Sequence, residues 1–518
     1  MHPSKWCITY ADLWLFECQV AEALRDGTFD YEPNIYEVNE YYIKPVTASA
    51  GKLSWALMMN PFGLDSDLFI SHAWEEDIFD FTQKVWASWP WKARHAWCCM
   101  LANPQNLDIG AFLESPCSSP FALALQCSKY MLVVPNKYAS IYTRLWCGYE
   151  AYLAFKSDKI IQIATPPIYG EVILAWIRMI PAVLIGLALP VLHEYLHPMP
   201  YSVPYATVLA LLASLVSQIC GHARLCLIAN HVGLAFATSL LKLMHLNKIV
   251  FPLLPESMKP GLDQALRVEV MLYFFLAEVD RVRWQVEQES EGQLRNQFPG
   301  SVRHASCSDA QDTVNIFSEI VHQIDDVDKA IRTLLKAGLS SDAFRHADAQ
   351  GVELQHAQAV HLAIPALVLG PGVLLNSYLL LRISYIKVAT SEPIVDALWP
   401  FVVIWILALL ARLYLWKLLL SRSVDERCWI LSVMSRTVAP WVVCCLALEL
   451  STRSFANTLA RFFYYLSFLV TCFFSALGIR GTLSLPFGKL LAKFYLQHLS
   501  CWPEDCYEPI SSSSDSGG

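Results

Sequence analysis

The chain has 518 residues, 55% of them hydrophobic and only 16% charged, with a formal net charge of −8. Soluble proteins carry about 25% charged residues, so this balance points to an integral membrane protein, with length for two to four domains. The acidic net charge removes the electrostatic case for a nucleic-acid partner. The 16 cysteines are scattered, several within apolar runs (Cys220, Cys226, Cys444, Cys445, Cys472). With no C-x-x-C pair among them, they fit reduced thiols facing cytosol or lipid better than a disulfide framework. The opening residues lack a basic stretch followed by an apolar core, so no cleaved signal peptide is expected.

Residues 1–67 read as a soluble N-terminal extension. Leu13, Phe16, Val20 and Leu24 recur at helical spacing within Ala11–Arg25. Asp30–Tyr42 is acidic and tyrosine-rich without a period, so it reads as loop or an extra edge element. Residues 68–166 alternate short apolar strands with helices, the pattern of a parallel α/β sheet. The expected strands are Leu68–Ser71, Ala96–Leu101, Tyr130–Val134 and Lys159–Ala164. The expected helices are Glu75–Trp89, stopped by Pro90, then Phe121–Cys127 and Thr143–Phe155, with a polar loop at Asn103–Ser119. Pro166-Pro167 ends the unit before a fifth strand.

Residues 172–220 supply two apolar stretches, Val172–Leu192 and Val203–Cys220, each long enough to cross a bilayer. The link His193–Ser202 has no Lys or Arg, whereas Lys156, Lys159, Arg224, Lys242 and Lys248 flank the other ends. The positive-inside rule then puts the α/β unit in the cytosol. Residues 221–256 are apolar but carry His222, Arg224, Asn230, His231, Lys242 and His245, which fits an amphipathic interfacial helix better than a third span. Residues 257–356 read as a cytosolic helical insert. It holds a long helix over Leu262–Arg295, a loop at Gly300–Asp309, and an apolar seam of Ile316, Ile320, Ile324, Val327, Ile331 and Leu334. Gly338 caps the seam helix and Ser341 opens another. Such a hairpin either self-associates or packs against itself or the α/β unit. About four further spans are expected within 361–480, at 361–381, 397–416, 437–450 and 460–479. Lys417, Arg422, Arg427 and Arg436 place the loop between the second and third of these inside, which gives an even count and two cytosolic termini. Residues 481–518 form a cytosolic tail, disordered by composition at Ser511–Gly518.

Phe69-Ile70-Ser71-His72, the polar loop around Asn103–Gly110, Met131–Val134 and Trp146-Cys147-x-x-Glu150 stand in an order and separation that resembles a TIR domain. The resemblance covers roughly one fifth of the chain. It implies a flavodoxin-like doubly wound sheet, signalling by self-association, and cleavage of NAD with Glu150 as the catalytic carboxylate. NAD would be a substrate, with no cofactor required and no metal. A fixed carboxylate suits that chemistry, because breaking the nicotinamide–ribose bond builds positive charge on the ribose and nicotinamide leaves neutral. The turn holding Ser71, His72 and Trp74 follows a strand end and precedes a helix, where parallel sheets bind phosphates. Trp74 or Trp146 offers a surface on which a base can stack. The chain departs from the family at Trp97-Cys98-Cys99, in place of a W-x-D run, and at Arg144, in place of a small residue.

Two other readings compete. His193-Glu194-Tyr195-Leu196-His197 matches the zinc motif H-E-x-x-H, but Pro190 and Pro198 bracket it and argue against a stable helix. A channel or transporter regulated by the α/β unit is the alternative function; Arg178, Arg412 and Glu449 are the ionisable residues within the spans, and no inverted repeat is visible. The expected partners are therefore a lipid bilayer and a second copy of the chain, meeting through the TIR-like unit and the helical insert.

Overall fold

The structure, a computed structural model, describes residues 1–350 apart from 91, 109, 138–139, 197–202, 220–222, 241–258 and 308, together with 363, 473, 477 and 481–488. Its centre is a mixed sheet of six strands: β1 (Ile8–Thr9), β2 (Leu68–Ser71), β3 (His95–Cys98), β4 (Tyr130–Val133), β5 (Ile160–Ile163) and β6 (Leu339–Ser340). Their order across the sheet is β1-β3-β2-β4-β5-β6. The four inner strands are parallel, with Phe69 opposite Trp97 on one side and Met131 on the other. Every residue of β2 and β4 is buried, as expected of inner parallel strands with both faces covered. The chain leaves β2 to build β3 on one flank and returns to build β4 on the other. The crevice at the carboxyl ends of β2 and β4 is therefore the topological switch point of the sheet.

Local chemistry explains most boundaries. Asp77 accepts from Phe79 N and Asp80 N, both at 2.9 Å, and so starts the helix Ile78–Ser88 one turn later than the apolar period suggests. β3 ends at Cys98, short of the Leu101 expected from the apolar run. Beyond Cys98 the neighbouring ladder has run out, and the backbone closes on itself as the helical turn Cys99–Ala102. Asp30–Tyr42 is not an edge element. Asn34 and Glu37 exchange backbone hydrogen bonds in a capping box and wind the segment into helix. The edge beside β3 is filled instead by Ile8–Thr9, running antiparallel.

The edge beside β5, which Pro166-Pro167 leaves vacant locally, is taken by β6 from far along the chain: Ile161 pairs with Ser340 and Gln162 with Leu339. The expected seam brings it there. It folds as two helices, Ala310–Ile320 and Ile324–Ala337, broken at Val321–Gln323. Ile316, Ile320, Ile324, Val327, Ile331 and Leu334 are all buried in one core with Phe69, Met131, Val133, Leu145, Tyr149 and Ile161. The seam thus packs within the chain, against the α/β unit. Gly338 caps the second helix at φ 68°, and Ser341 accepts from Phe344 N to start the helix Asp342–Ala349. The body built on the sheet is therefore discontinuous: residues 1–166 and 302–349 share it.

Between these two parts the described residues form four helices, Tyr169–Leu196, Val203–Ile219, Ala223–Ser239 and the 39-residue Lys259–Gln297. Among the described residues one helix is long and apolar enough to cross a membrane: Tyr169–Leu192, with mean hydropathy 2.3 and 22% of its apolar window buried. Val203–Ile219, expected as a second span, contributes only the shorter apolar stretch Val208–Ser217. A multi-pass region is not supported by the described residues, and the expected spans within 361–480 fall almost wholly outside them. Ala223–Ser239, the described part of the expected interfacial segment, buries Ala229, Asn230, Gly233, Leu234, Ala237 and Thr238 against its neighbours and leaves Leu225, Ile228 and Val232 exposed. Ser217 Oγ donates to Asn230 Oδ1 at 2.6 Å, and Asn230 Nδ2 donates to Glu278 Oε2 at 3.0 Å, so the buried amide is satisfied on both sides. Gly233 has no Cβ because the Phe274 ring fills that space; a Cβ there would lie 2.1 Å from the ring.

The shared core makes a prediction. Residues 1–166 alone should lack a cooperative thermal transition and bind a hydrophobic dye, and joining them to 298–349 through a flexible linker should restore a sharp melt. A cooperative melt from the shorter fragment would refute the discontinuous body.

Candidate functional site

The helix Leu145–Lys156 carries Glu150 across the carboxyl ends of the parallel strands. Nine of its twelve residues are buried: Leu145, Cys147–Leu153 and Ala154. Ser71, the last residue of β2, donates its hydroxyl to Glu150 Oε2 at 2.5 Å, and both side chains are buried. The carboxyl group thus lies at the switch point and not in bulk water. Burial pushes its pKa up to about 7, against the opposing pull of the Ser71 hydrogen bond and the positive charge of Arg144.

His72 follows directly and is also buried, at 5% exposure. Its ring lies 5.0 Å from Phe81, with Cys99 Sγ 3.5 Å from Nε2 and Cys98 Sγ 3.9 Å from Nδ1. Cys147 Sγ donates to the His72 carbonyl at 3.7 Å. Burial, then the nearby Arg144 charge, drive the His72 pKa down to about 3, so the imidazole is neutral. Burial also pushes the Cys99 thiol up to about 12 and holds Cys98 and Cys147 high. These three thiols are packing groups rather than nucleophiles. Among the described residues no cluster of three or more metal-ligating side chains is poised around an ion.

The two tryptophans are already engaged. Trp74 Nε1 donates to Cys99 Sγ at 3.3 Å, and its ring meets Tyr36 at 5.3 Å. Trp146 stacks on Phe121 at 5.2 Å and donates to Asp312 Oδ2 at 2.9 Å. Ser71 and Glu150 therefore meet, whereas the His72 side chain packs against Phe81, Cys98 and Cys99. Trp74 is held against Cys99 and Tyr36, and Trp146 faces the Ala310–Ile320 helix.

Three further groups stand at the carboxyl end of the sheet. Arg144, in the N-cap position of the Glu150 helix, has its Nη1 3.8 Å from Glu75 Oε2 and no hydrogen bond to that nitrogen. The Tyr142 hydroxyl is buried without a hydrogen-bond partner. Lys84 Nζ bridges Glu76 Oε1 at 2.6 Å and the Pro135 carbonyl at 2.8 Å, sealing the end of β4. Burial raises Glu76 to about 7 even with Lys84 beside it. Of these, the sequence signals only Arg144, as the departure before Trp-Cys. Lys84 looks like an ordinary helix-surface lysine.

No protein-family model, curated protein or solved structure matches the chain. The H-E-x-x-H run begins inside the Tyr169–Leu196 helix, which continues through Pro181 and Pro190 contrary to the expected break. Its final residue, His197, lies outside the described residues.

The sign of the Glu150 shift fixes a stability test. A folded pKa near 7 lies above the ordinary 4.5, so the fold binds this proton more tightly than the unfolded chain does. The resulting stability is present at low pH, is lost as pH rises from about 4.5 through about 7, and stays lost above. His72 acts in the opposite sense, adding stability between about pH 3 and 6.5. Comparing Glu150→Gln with wild type isolates the carboxyl. The variant should gain on the order of 3 kcal/mol relative to wild type between pH 4.5 and pH 8 in denaturant unfolding. A pH-independent difference would show that Glu150 is not desolvated.

Proposed function

We propose that the chain is a membrane-tethered, TIR-like signalling module that self-associates through its α/β unit and cleaves NAD at the nicotinamide–ribose bond through Glu150. The observation that carries this reading is the buried Ser71–Glu150 contact at the switch point of a parallel sheet, where open α/β folds bind nucleotides. The strand order of the four inner strands agrees with the flavodoxin-like topology of the resembled family. When ionised, Glu150 stabilises the oxocarbenium-like ribose as nicotinamide departs, and water then adds to the anomeric carbon. Ser71 holds the carboxyl in place and favours its ionised form. The guanidinium of Arg144, loosely paired at the rim, supplies a positive charge for the pyrophosphate. The tether is the Tyr169–Leu192 helix. Because the insert's seam is occupied within the chain, self-association falls to the α/β unit itself.

Incubating the full chain in liposomes with NAD and measuring nicotinamide tests this directly. Wild type should release nicotinamide with a rate that rises through about pH 7 as Glu150 ionises. Glu150→Ala should lose at least about 100-fold. Ser71→Ala should shift the midpoint to higher pH, because the hydroxyl favours the carboxylate. Release that survives Glu150→Ala, or none from wild type even at high surface density, defeats the enzymatic reading.

A further inference from the structure

Glu150 is sealed, at 5% exposure, so a substrate reaches it only if something moves. The segment lying over its helix is 302–337. Ser306 is joined to the start of that helix by two main-chain bonds: Leu145 N donates to Ser306 O at 2.9 Å, and Ser306 N donates to Thr143 O at 3.0 Å. Val302 rests directly on Gly148, where the missing side chain leaves room for it. Two carboxylates then latch the helix face. Asp312 accepts from Trp146 Nε1 at 2.9 Å, and Glu319 accepts from the Tyr149 hydroxyl at 2.6 Å. Asn315 Nδ2 donates to Glu114 O at 3.1 Å on the flank. The contact has a dry middle of Ile316 and Ile320 and a polar rim.

The same segment is the continuation of the longest helix in the described chain. At one end of Lys259–Gln297, Leu294 is buried in the α/β core and Phe298 meets Tyr142 edge-on at 5.9 Å. Further back along it, Tyr273, Phe274 and Ala277 are buried against Met179, Leu234 and Ala237 of the apolar helices, and Trp176 Nε1 donates to Phe275 O at 3.2 Å. One stiff element, about 58 Å long at 1.5 Å per residue, is thus anchored in both bodies.

We propose that residues 302–337 are a clamp on the Glu150 helix, and that displacement of the apolar helices, carried along Lys259–Gln297, lifts it and frees that helix to move off the sheet end, opening the site at Ser71. The regulation rests on the Glu150 reading; the clamp itself rests on packing alone. A signal at the membrane is then converted into access to a carboxyl group, with the rim bonds setting the threshold.

Two variants of the full chain in liposomes test it. An ideal Cβ at Gly148 lies 3.5 Å from the Val302 Cβ, within disulfide range, so Gly148→Cys with Val302→Cys should staple the clamp shut. Oxidised, this protein should turn over NAD about tenfold more slowly than the same sample reduced, and its 310–320 amides should exchange more slowly. Asp312→Ala with Glu319→Gln should release the clamp, speeding amide exchange over 310–320 and 145–149 about tenfold while β2 and β4 stay protected. Exchange over 310–320 equal to wild type in the release variant overturns the clamp. So does turnover that is the same in the oxidised and reduced staple, and either result leaves the Glu150 reading standing. Faster exchange with no NAD turnover in any sample retains the clamp and removes the Glu150 reading. If the release variant is not recovered folded, the oxidised and reduced staple decides by exchange alone.

Discussion

The fold depends on burying the Leu145–Lys156 helix on both sides. A helix of a doubly wound sheet ordinarily keeps one face in water, and its sequence then shows a polar stripe. Here one face meets β4 and β5 and the other meets the helices 310–320 and 324–337, so Leu-Trp-Cys-Gly-Tyr-Glu-Ala-Tyr-Leu-Ala-Phe-Lys has no such stripe. Gly148 permits the close approach of Val302, and Trp146 and Tyr149 each turn a polar atom outward to an acidic partner. Removing the second layer would expose this aromatic face together with the seam that covers it.

The same double burial sets the electrostatics. Desolvation raises both Glu150 and Glu76 to about 7, and in each case a nearby positive charge opposes the shift without cancelling it. His72 is neutral for the same reason acting on a base. The carboxyl edge of the sheet therefore holds several ionisable groups with little formal charge, apart from the Lys84–Glu76 pair and the rim pair Arg144–Glu75. A site of this kind carries a cost in the closed state and is released by access to water or ligand.

Much of this architecture was legible in the chain. The four inner strands are short apolar runs bounded by turn residues, and each lies where its pattern puts it, to within a few residues. Gly338 and Ser341 signal a helix end and a helix start through backbone requirements that only a few residue types meet. The convergence of Ser71 with Glu150 was reachable only through motif order, because nothing local to either residue specifies the other. Three features left no local trace. β1 and β6 are two residues long, too short for any period. The turn at Cys99–Ala102 arises because the ladder beside it ends, which is a property of the neighbour. The partner of the Ile316–Leu334 seam is a tertiary fact: the period marks an apolar face, and says nothing of which surface it meets.

The pairing of Ile161 with Ser340 has a consequence for biosynthesis. A ribosome delivers β5 long before β6, and the apolar helices emerge in between. At typical elongation rates of roughly 5–20 residues per second, the half-built sheet waits roughly 10–35 seconds with an open edge and a bare aromatic face. Closure of the sheet must therefore follow synthesis of the Tyr169–Leu192 helix. The nascent chain carries its own timer.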